Sequence, residues 1–328
     1  MKKIGILGAG QMGAGIAYLL GNGKKNLTVN LWDRTPEVLS VVLSSGESPH
    51  LPGMKFQNVF PTPNLEQAVR GMDLLVLAVP SFAVREMAGE LSVYAKSLPP
   101  ILMISKGLEK DTALLPFQVM EEILGPQELL HITGVGYPKE LASPRPVTEL
   151  LASKSESLLS AVKSLFENEW LTIATATDLL GAQLAGALKN VIVIAIGLST
   201  AGEKEPERKQ ELISHLVARG VAEMKLLGAA MGAKSETFDS PAGEGDLRFS
   251  ADPLSRNFRL GEDVFLKGAQ EVKKGLEEKK ITVEGLLSSF AAHRLTENYG
   301  LNLPIVEAVY KVIYEGGNPE TVVKGLLS

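Results

Sequence analysis

The first half of the chain alternates between short apolar runs and segments with helical periodicity. Leu74–Val79 is continuously apolar, which is typical of a parallel strand buried on both of its faces. Strands separated by helical segments predict βαβ units and a doubly wound sheet of the α/β class. The runs that predict strands are Lys3–Leu7, Leu27–Trp32, Leu74–Val79, Ile101–Ser105 and His131–Thr133.

From about Asp178 the pattern changes to long helical periods, and strand-like windows disappear. We therefore expect an all-helical C-terminal domain, with one domain over residues 1–177 and a second over residues 178–328. The charged stretches 203–211 and 273–280 are expected to be solvated loops or helix faces. The predicted helices are Leu179–Gly202, Glu211–Met231, Gly261–Leu276, Thr282–Tyr299 and Leu303–Glu315.

Two apolar stretches resemble export or membrane segments. Residues 1–21 carry too many glycines for a signal helix, so we expect a cytoplasmic protein. Leu179–Gly202 approaches the length of a membrane span, but its central Lys189 would cost about 2.5–3.5 kcal/mol on insertion. We expect a buried core helix there and no integral membrane segment.

Composition narrows the chemistry. The chain has 328 residues, of which 45% are hydrophobic and 22% charged, as in globular proteins. A net charge of −5 provides no basic field for nucleic acid or an anionic membrane. The absence of cysteine excludes thiolate catalysis and cysteine-ligated metal, and the 4 histidines show no metal-binding spacing. We expect no metal, and chemistry that depends on lysines, carboxylates, backbone amides or a cofactor.

The glycine-rich sequence from Gly8 to Gly13 directly follows the first predicted strand and opens a helix. In such a G-x-G-x-x-G turn, the glycines allow a tight turn, close approach of a pyrophosphate, and close helix–strand packing. Asp33 follows Gly13 by 20 residues, at the end of the second strand, where an acidic residue receives a ribose hydroxyl. The sequence therefore predicts a Rossmann-like, dinucleotide-binding first domain.

The preference between NAD and NADP stays open from these residues, with NAD favoured. Asp33 favours NAD because a carboxylate repels a 2′-phosphate, whereas the neighbouring Arg34 could bind that phosphate. Arg34 could equally be an ordinary surface arginine.

Polar residues in the second half are candidates for proton transfer and phosphate binding. Lys189, inside an apolar helix, is either a proton donor with a shifted pKa or a structural, ion-paired lysine. Glycine-flanked Asp246 is expected to be an exposed loop carboxylate, and Arg256 with Asn257 could hold a phosphate. Lys106 is a further candidate, although loops commonly carry such residues.

Short motifs recur in a fixed order along nearly the whole chain. They are Gly8–Gly13, Leu31–Arg34, His50–Gly53, Ala78–Ser81, Ser105–Glu109, Ala187–Val191, Arg219–Gly220, Thr237–Phe238, Gly245–Leu247, Ser255–Asn257, Val283–Gly285 and Leu303–Ile305. Together they resemble the motifs of bacterial-type NAD(P)-dependent glycerol-3-phosphate dehydrogenases. The lysine–asparagine motif, followed by Gly-Asp-Leu and Ser-Arg-Asn, is the most specific part of the resemblance.

The resemblance implies reversible hydride transfer between NAD(P)H and dihydroxyacetone phosphate, supplying glycerol 3-phosphate for phospholipid synthesis. It implies that Lys189 is the general acid/base, that Lys106 polarises the substrate from the first domain, and that Asp246 orients Lys189. The implied substrate-binding residues are Lys106, Lys189, Asn190, Ser250, Arg256 and Asn257. The implied cofactor-binding residues are Gly8, Gly10, Gln11, Met12, Gly13, Asp33, Arg34, Pro80, Arg256 and Glu284.

The sequence also departs from the family pattern. Gly134–Pro138 replaces a Gly-Pro-Ser/Thr-Phe-Ala segment that lines the substrate cleft in the family, and Ser250 replaces a threonine. Alternatives are therefore a dehydrogenase of a different phosphorylated or acidic 2-oxo compound, or a non-catalytic dinucleotide sensor. Fold analogy suggests a homodimer.

Overall fold

The computed structural model describes residues 1–23, 25–136, 145–279 and 281–327, and the chain divides into two compact units. The first unit comprises residues 1–105 and 116–179. The second comprises residues 106–115 and 180–328.

The first unit is built on one sheet of eight strands. The strands are β1 (Lys3–Leu7), β2 (Thr28–Trp32), β3 (Val59–Thr62), β4 (Leu74–Leu77), β5 (Ile101–Met103), β6 (Leu129–Gly134), β7 (Val147–Ser153) and β8 (Leu171–Ala176). Their order in the sheet is β3-β2-β1-β4-β5-β6-β7-β8. Neighbours from β3 to β6 pair in parallel, β7 is antiparallel to β6, and β8 is parallel to β7. This is the predicted α/β, doubly wound architecture.

Helices pack on this sheet because its central strands are apolar on both faces. In β4, Leu74 and Val76 on one face and Leu75 and Leu77 on the other are completely buried, as expected for a parallel strand covered by helices on both sides. Within the described residues, the helices of the unit are α1 (Gln11–Gly21), α2 (Pro36–Ser45), α3 (Leu65–Val69), α4 (Val84–Leu91), α5 (Pro116–Leu124) and α6 (Glu156–Phe166).

The five predicted strands are present, and three further strands were missed. β3 contains Pro61, which cannot donate a ladder hydrogen bond and is tolerated because this strand lies at the sheet edge. β8 is the other edge strand, and exposed and buried positions are mixed along it. Edge strands carry weaker hydrophobic patterns than central ones, which explains why β3 and β8 escaped the prediction.

The regular secondary structure of the second unit, over its described residues, is helical. Its helices are α7 (Leu179–Thr200), α8 (Pro206–Met231), α9 (Asp246–Ser250), α10 (Arg256–Lys267), α11 (Ala269–Glu278), α12 (Glu284–Asn298), α13 (Pro304–Tyr314) and α14 (Pro319–Leu327). Among the described residues, α7 is the helix with the length and apolarity of a membrane span, and 94% of its most apolar window is buried inside the protein. That burial is typical of a core helix.

The helix predictions need four corrections. α8 begins at Pro206, so much of the charged stretch 203–211 is the first turns of a helix. The single helix predicted over Gly261–Leu276 is two helices, because Gly268 lies between them with a φ of 87° that breaks the helical ladder. The C-terminal helix α14 was not predicted. Neither was the short helix α9, so Asp246, expected in an exposed loop, is instead the buried first residue of a helix.

Residues 106–115 differ from the expectation that they belong to the first domain. The backbone N–H of Leu108 donates to Ser288 Oγ at 3.4 Å, and Arg294 donates to the carbonyl of Asp111. These contacts with α12 group the segment, including Lys106, with the helical unit. The contiguous division at residue 177 stays a prediction.

Helices α7 and α10 cross closely at two glycines. A Cβ on Gly197 would lie 2.1 Å from the Phe258 carbonyl oxygen, and one on Gly261 would lie 2.2 Å from that of Ile194. Only glycine fits at such distances, so the crossing brings the two backbones together. It also fixes the residues at the start of α10 against the middle of α7.

Candidate active site

The glycine-rich turn after β1 has the geometry of a dinucleotide-binding loop. Gly8 has a φ of 110°, which side chains disfavour, and its N–H donates to the Trp32 carbonyl at 2.8 Å. A Cβ on Gly13 would lie 1.9 Å from the Gly8 carbonyl oxygen, so glycine is required for α1 to pack against the turn. A Cβ on Gly10 would meet no atom within 4 Å. Gly10 therefore leaves open space in front of the helix.

The residues that follow these glycines form the first turn of α1. Gln11 is exposed and Met12 is half-buried. Gly10, the N-cap of α1, has no side chain to satisfy the first N–H groups, and the first turn contains no acidic residue. A helix N-terminus of this kind attracts an anionic phosphate, because its N–H groups and dipole both point towards it.

Asp33, at the end of β2, is fixed by two backbone amides. The N–H of Ala9 donates to one of its carboxylate oxygens at 2.6 Å, and the N–H of Thr35 donates to the other at 2.9 Å. Each oxygen keeps further acceptor capacity for a ribose hydroxyl. The carboxylate is thereby held beside the glycine-rich turn, where the sequence predicted it.

Arg34 contacts two glutamates of α4. Its guanidinium lies 2.9 Å from Glu86 and 3.1 Å from Glu90. These partners were not predicted from the sequence, although their spacing of one helical turn places both on one face of α4. Pro80, exposed directly after β4, caps a short 3₁₀ turn over Ser81–Ala83.

These observations test whether the first unit fits the predicted dinucleotide. The open space at Gly10, the uncapped start of α1 and the fixed Asp33 together match a pyrophosphate and an adjoining ribose. The cofactor fits the residues that are present.

In the second unit, two lysines converge on a single buried carboxylate. Lys106 Nζ donates to one oxygen of Asp246 at 2.6 Å, and Lys189 Nζ donates to the other at 2.8 Å. The Asp246 side chain is 3% exposed, against 11% for Lys189 and 22% for Lys106. The structure therefore brings together the three residues named as catalytic, with Lys106 the most accessible.

Short helix α9 positions the acceptors of Lys189. Asp246 and Ser250 are its first and last residues, so they lie four positions apart on one helix face. Lys189 Nζ donates to Ser250 Oγ at 2.8 Å, and Ser250 Oγ donates to Asp246 at 3.3 Å. A π-helical turn over Pro241–Gly245 leads into α9, and such turns are frequent at functional sites.

Burial and the two lysines act in opposite directions on Asp246. Burial, the largest influence, would raise the pKa of this carboxyl group, but the ammonium groups of Lys106 and Lys189 outweigh it and hold the pKa below its usual value. The carboxylate is therefore ionised at neutral pH. The cluster carries one negative and two positive charges, which suits an anionic substrate or a developing alkoxide.

A chain of amide hydrogen bonds continues from α7 through α10 to α12. Asn257 Nδ2 donates to Asn190 Oδ1 at 2.8 Å, and the N–H of Gly285 donates to Asn257 Oδ1 at 3.2 Å. These contacts fix which way the Asn257 amide points. Arg256, the first residue of α10, is exposed, and Glu284, the first residue of α12, is half-buried.

Other predicted features lie apart from these clusters or outside the described residues. Of the Gly134–Pro138 segment, residues 134–136 are described, whereas Tyr137 and Pro138 lie outside the described residues. Within the described ranges, no group of three or more histidine or acidic side chains is arranged to hold a metal ion.

The sequence did not single out Glu223, a buried carboxylate on α8. It accepts the N–H of Ile305 at 2.7 Å and that of Val306 at 3.3 Å. Leu303, the N-cap of α13, offers no side-chain acceptor. This missing cap is the sequence feature that could have indicated an acceptor on another element.

Comparison with known proteins identifies the family. Residues 3–159 match the family model for the N-terminus of NAD-dependent glycerol-3-phosphate dehydrogenase, and residues 178–324 match the model for its C-terminus. A glycerol-3-phosphate dehydrogenase, NAD(P)+, from Bacillus velezensis is 31% identical over 100% of this chain and 94% of the relative. One from Moorella thermoacetica is 33% identical over 96% of this chain and 92% of the relative.

Solved structures agree with the sequence matches. The crystal structure of glycerol-3-phosphate dehydrogenase from Coxiella burnetii superposes with a TM-score of 0.89 at 26% identity, covering 100% of this chain and 99% of that one. The Saccharomyces cerevisiae enzyme, at 20% identity and a TM-score of 0.85 over 100% of this chain and 99% of that one, shares the fold. The Bacillus and Moorella relatives are both named glycerol-3-phosphate dehydrogenase, NAD(P)+, which denotes an oxidoreductase that acts on a CH–OH group with NAD or NADP. The chain therefore belongs to the NAD-dependent glycerol-3-phosphate dehydrogenase family.

Proposed function

We propose that this chain catalyses reversible hydride transfer between NAD(P)H and dihydroxyacetone phosphate, forming sn-glycerol 3-phosphate with lysine acid/base catalysis. The observation that carries this proposal is the convergence of Lys106 and Lys189 on buried Asp246, at 2.6 and 2.8 Å. Membership of the family supports the reaction class, and the charged cluster supports the roles of the residues.

Lys189 is the proposed proton donor to the carbonyl oxygen of the substrate. Its hydrogen bonds to Asp246 and Ser250 hold Nζ in one position inside the helical unit. As negative charge develops on the substrate oxygen, the ammonium groups of Lys189 and Lys106 stabilise it. Transfer of one proton from Lys189 then gives the alcohol and a neutral amine, and in the reverse direction this amine takes the proton back.

Asp246 is the proposed positioning residue for both lysines. Its carboxylate remains ionised because the lysines hold its pKa low, so it does not compete for the transferred proton. Each of its oxygens accepts from a different lysine, and this fixes the separation between the two ammonium groups.

Arg256 and Asn257 are proposed to bind the phosphate of the substrate. A guanidinium forms bidentate hydrogen bonds to phosphate oxygens, and Arg256 is exposed at the N-terminus of α10. Asn257 donates one N–H to Asn190, and its second Nδ2 N–H is directed by the same contacts. Asn190 therefore orients Asn257 for this role.

A reduced nicotinamide, when bound, supplies the hydride for the carbonyl carbon. The first unit would hold the dinucleotide with the glycine-rich turn from Gly8 to Gly13, the first-turn residues Gln11 and Met12, Asp33 and Pro80. Arg256 and Glu284 are proposed as further cofactor-binding residues.

We propose that, in the cell, this reaction takes place in the cytoplasm and supplies glycerol 3-phosphate for phospholipid synthesis. We also propose that the protein is a homodimer. Expression in a bacterium that grows only with added glycerol 3-phosphate tests the first part. Growth without the supplement supports it, and continued dependence contradicts it. Size measurement in solution tests the dimer.

The reaction itself is tested by following NADH and NADPH oxidation with dihydroxyacetone phosphate and a panel of other phosphorylated ketones. Oxidation with dihydroxyacetone phosphate supports the proposal. Absence of oxidation with either cofactor, or clear preference for another ketone, overturns the proposed substrate. The panel is informative because Gly134–Pro138 departs from the family pattern.

The lysine mechanism is tested with Lys189→Met and a matched control, Lys225→Met. Lys225 also pairs with an aspartate, Asp239, at 2.7 Å, but that aspartate is half-exposed. We expect kcat to fall by about 10²- to 10⁴-fold in Lys189→Met, the usual contribution of a positioned acid or base, and to be retained in the control. An unchanged kcat in Lys189→Met removes Lys189 from the mechanism.

A further inference from the structure

The environment of Arg34 bears on which dinucleotide the first unit accepts. Arg34 follows Asp33 at the end of β2, next to the position that receives the adenosine ribose in this fold. An arginine at that position can bind the 2′-phosphate of NADP only if its guanidinium is available. In this structure the guanidinium is engaged by Glu86 at 2.9 Å and Glu90 at 3.1 Å.

Helix α4 presents these two glutamates as a pair. They lie four residues apart on one face, and each contacts a different terminal nitrogen of Arg34. The two contacts occupy both ends of the planar fork with which arginine would otherwise grip a phosphate. If Arg34 turned to a phosphate, both carboxylates would be left without this partner beside a dianion.

Asp33 adds a negative charge that cannot move away. The N–H groups of Ala9 and Thr35 hold its two oxygens at 2.6 and 2.9 Å. A neutral 2′-hydroxyl can donate to this carboxylate, whereas a 2′-phosphate would be repelled by it. Three carboxylates, those of Asp33, Glu86 and Glu90, thus surround this position. The guanidinium of Arg34 is already paired with two of them.

We propose that Glu86 and Glu90 select NAD over NADP by holding Arg34 away from the 2′-phosphate position beside a fixed Asp33. The proposal rests on the family's use of NAD or NADP and deepens it by assigning the discrimination to two glutamates of α4. It concerns residues of the first unit alone.

Direct binding tests the proposal without the oxidoreductase reaction. Dissociation constants for NADH and NADPH are measured by fluorescence titration for the wild-type protein and for the double variant Glu86→Gln/Glu90→Gln. We expect the wild-type protein to bind NADH about tenfold or more tightly than NADPH, and the double variant to gain affinity for NADPH. The expected decrease in the NADPH dissociation constant is about fivefold, because an exposed charge pair changes an equilibrium by up to about fivefold.

Two further variants show whether the gain comes from Arg34. Glu122→Gln is the matched control, because Glu122 pairs with Arg85 through both oxygens at 3.2 Å elsewhere in the same unit. It should leave both dissociation constants unchanged. Adding Arg34→Ala to the double variant should abolish the gain for NADPH. The gain should also shrink at high salt, because exposed charges are screened.

The outcomes separate this proposal from the proposed reaction. Equal wild-type affinities for NADH and NADPH, an unchanged NADPH affinity in the double variant, or a gain that survives Arg34→Ala would each overturn it. If neither dinucleotide binds, the cofactor site itself is wrong and the proposal falls with it. If NADH binds as expected but dihydroxyacetone phosphate is not reduced, the proposed substrate fails while the discrimination stands.

Discussion

The carboxylate of Glu223 accepts the backbone N–H of Ile305 at 2.7 Å and thereby caps helix α13 from a neighbouring helix. The pKa of Glu223 is raised to about 7, because burial raises it by more than the two backbone hydrogen bonds and nearby Arg219 lower it. A helix cap normally benefits from an ionised carboxylate, but here the cost of burying the charge is larger.

This raised pKa predicts that Glu223 makes stability fall as pH rises. The folded protein retains the proton up to about pH 7, whereas the unfolded chain loses it near its ordinary pKa of 4.5. The contribution is therefore fully present below pH 4.5 and is lost as pH rises through 7. Over that window it amounts to about 3 kcal/mol. Urea unfolding between pH 4 and pH 8 measures it.

Glu223→Gln should flatten this part of the pH profile, because glutamine keeps an acceptor for Ile305 and does not titrate. Glu211→Gln on the same helix is the control, since Glu211 is exposed and pairs with Arg208. The control should retain the wild-type slope. A Glu223→Gln profile parallel to that of the wild type would show that Glu223 does not titrate in this range.

Asp246→Asn should lower both stability and turnover. It leaves the ammonium of Lys189 buried without its counter-charge, and breaking a buried pair in this way costs about 3–5 kcal/mol. Because its lysines hold the pKa of Asp246 below 3.8, the wild type should also lose this contribution as pH falls through the folded pKa. Denaturant unfolding at neutral and acidic pH, together with kcat, gives the measurement.

Asp239→Asn is the matched control for Asp246→Asn. Asp239 also binds a lysine, Lys225, at 2.7 Å, but its side chain is 52% exposed. An exposed pair is worth about 0–1 kcal/mol, so stability and kcat should change little. If the two variants lose equal stability, the buried charge cluster is not what holds this part of the helical unit.

Gly10→Ala should separate folding from cofactor binding. The added Cβ meets no protein atom within 4 Å, so the protein should fold normally. It would occupy the space proposed for the pyrophosphate, and the NADH dissociation constant should rise by about tenfold or more, or about 1.4 kcal/mol. Thermal unfolding and NADH titration give the two readouts.

Gly275→Ala in α11 is the comparison for Gly10→Ala, because a Cβ there also meets no atom within 4 Å. It should leave NADH binding unchanged and stabilise the helix by about 0.5–1 kcal/mol. Equal NADH affinity in both variants would mean that the dinucleotide does not approach Gly10.

Much of the fold followed from local pattern, and the exceptions have local causes. Central strands such as β4 are apolar throughout, so their sequence identifies them. The sequence of strand β3 does not identify it as a strand, because Pro61 interrupts the pattern. The proline is acceptable there only because β3 lies at the sheet edge. Gly268 lies inside an apparently continuous helical period, and its left-handed backbone divides that period into α10 and α11.

The members of the lysine–aspartate cluster were named from the sequence, but their contacts could not be predicted from it. Lys106 and Asp246 are separated by 140 positions, and no local pattern pairs them. The resemblance to a family named both residues, while the structure shows how they share a carboxylate. Arg34 shows the converse case, since its sequence position allowed phosphate binding, whereas the structure shows its guanidinium paired with Glu86, 52 positions away.

Ser250 provides the sharpest test of positioning within the lysine cluster. Its hydroxyl accepts from Lys189 at 2.8 Å and donates to Asp246 at 3.3 Å, so it links the proposed acid to its counter-charge. Ser250→Ala removes this link and leaves Lys189 with one fewer fixed acceptor. We expect kcat to fall by about tenfold with little change in KM, because the loss acts on the orientation of Nζ during proton transfer.

Ser250→Thr retains a hydroxyl and should recover most of the activity. Ser289→Ala, which removes a buried hydroxyl that donates to the Leu286 carbonyl at 2.9 Å and also hydrogen-bonds Tyr314, is the control for general loss of a buried serine. Equal kcat in Ser250→Ala and the wild type, or failure of threonine to rescue, would show that the hydroxyl does not position Lys189.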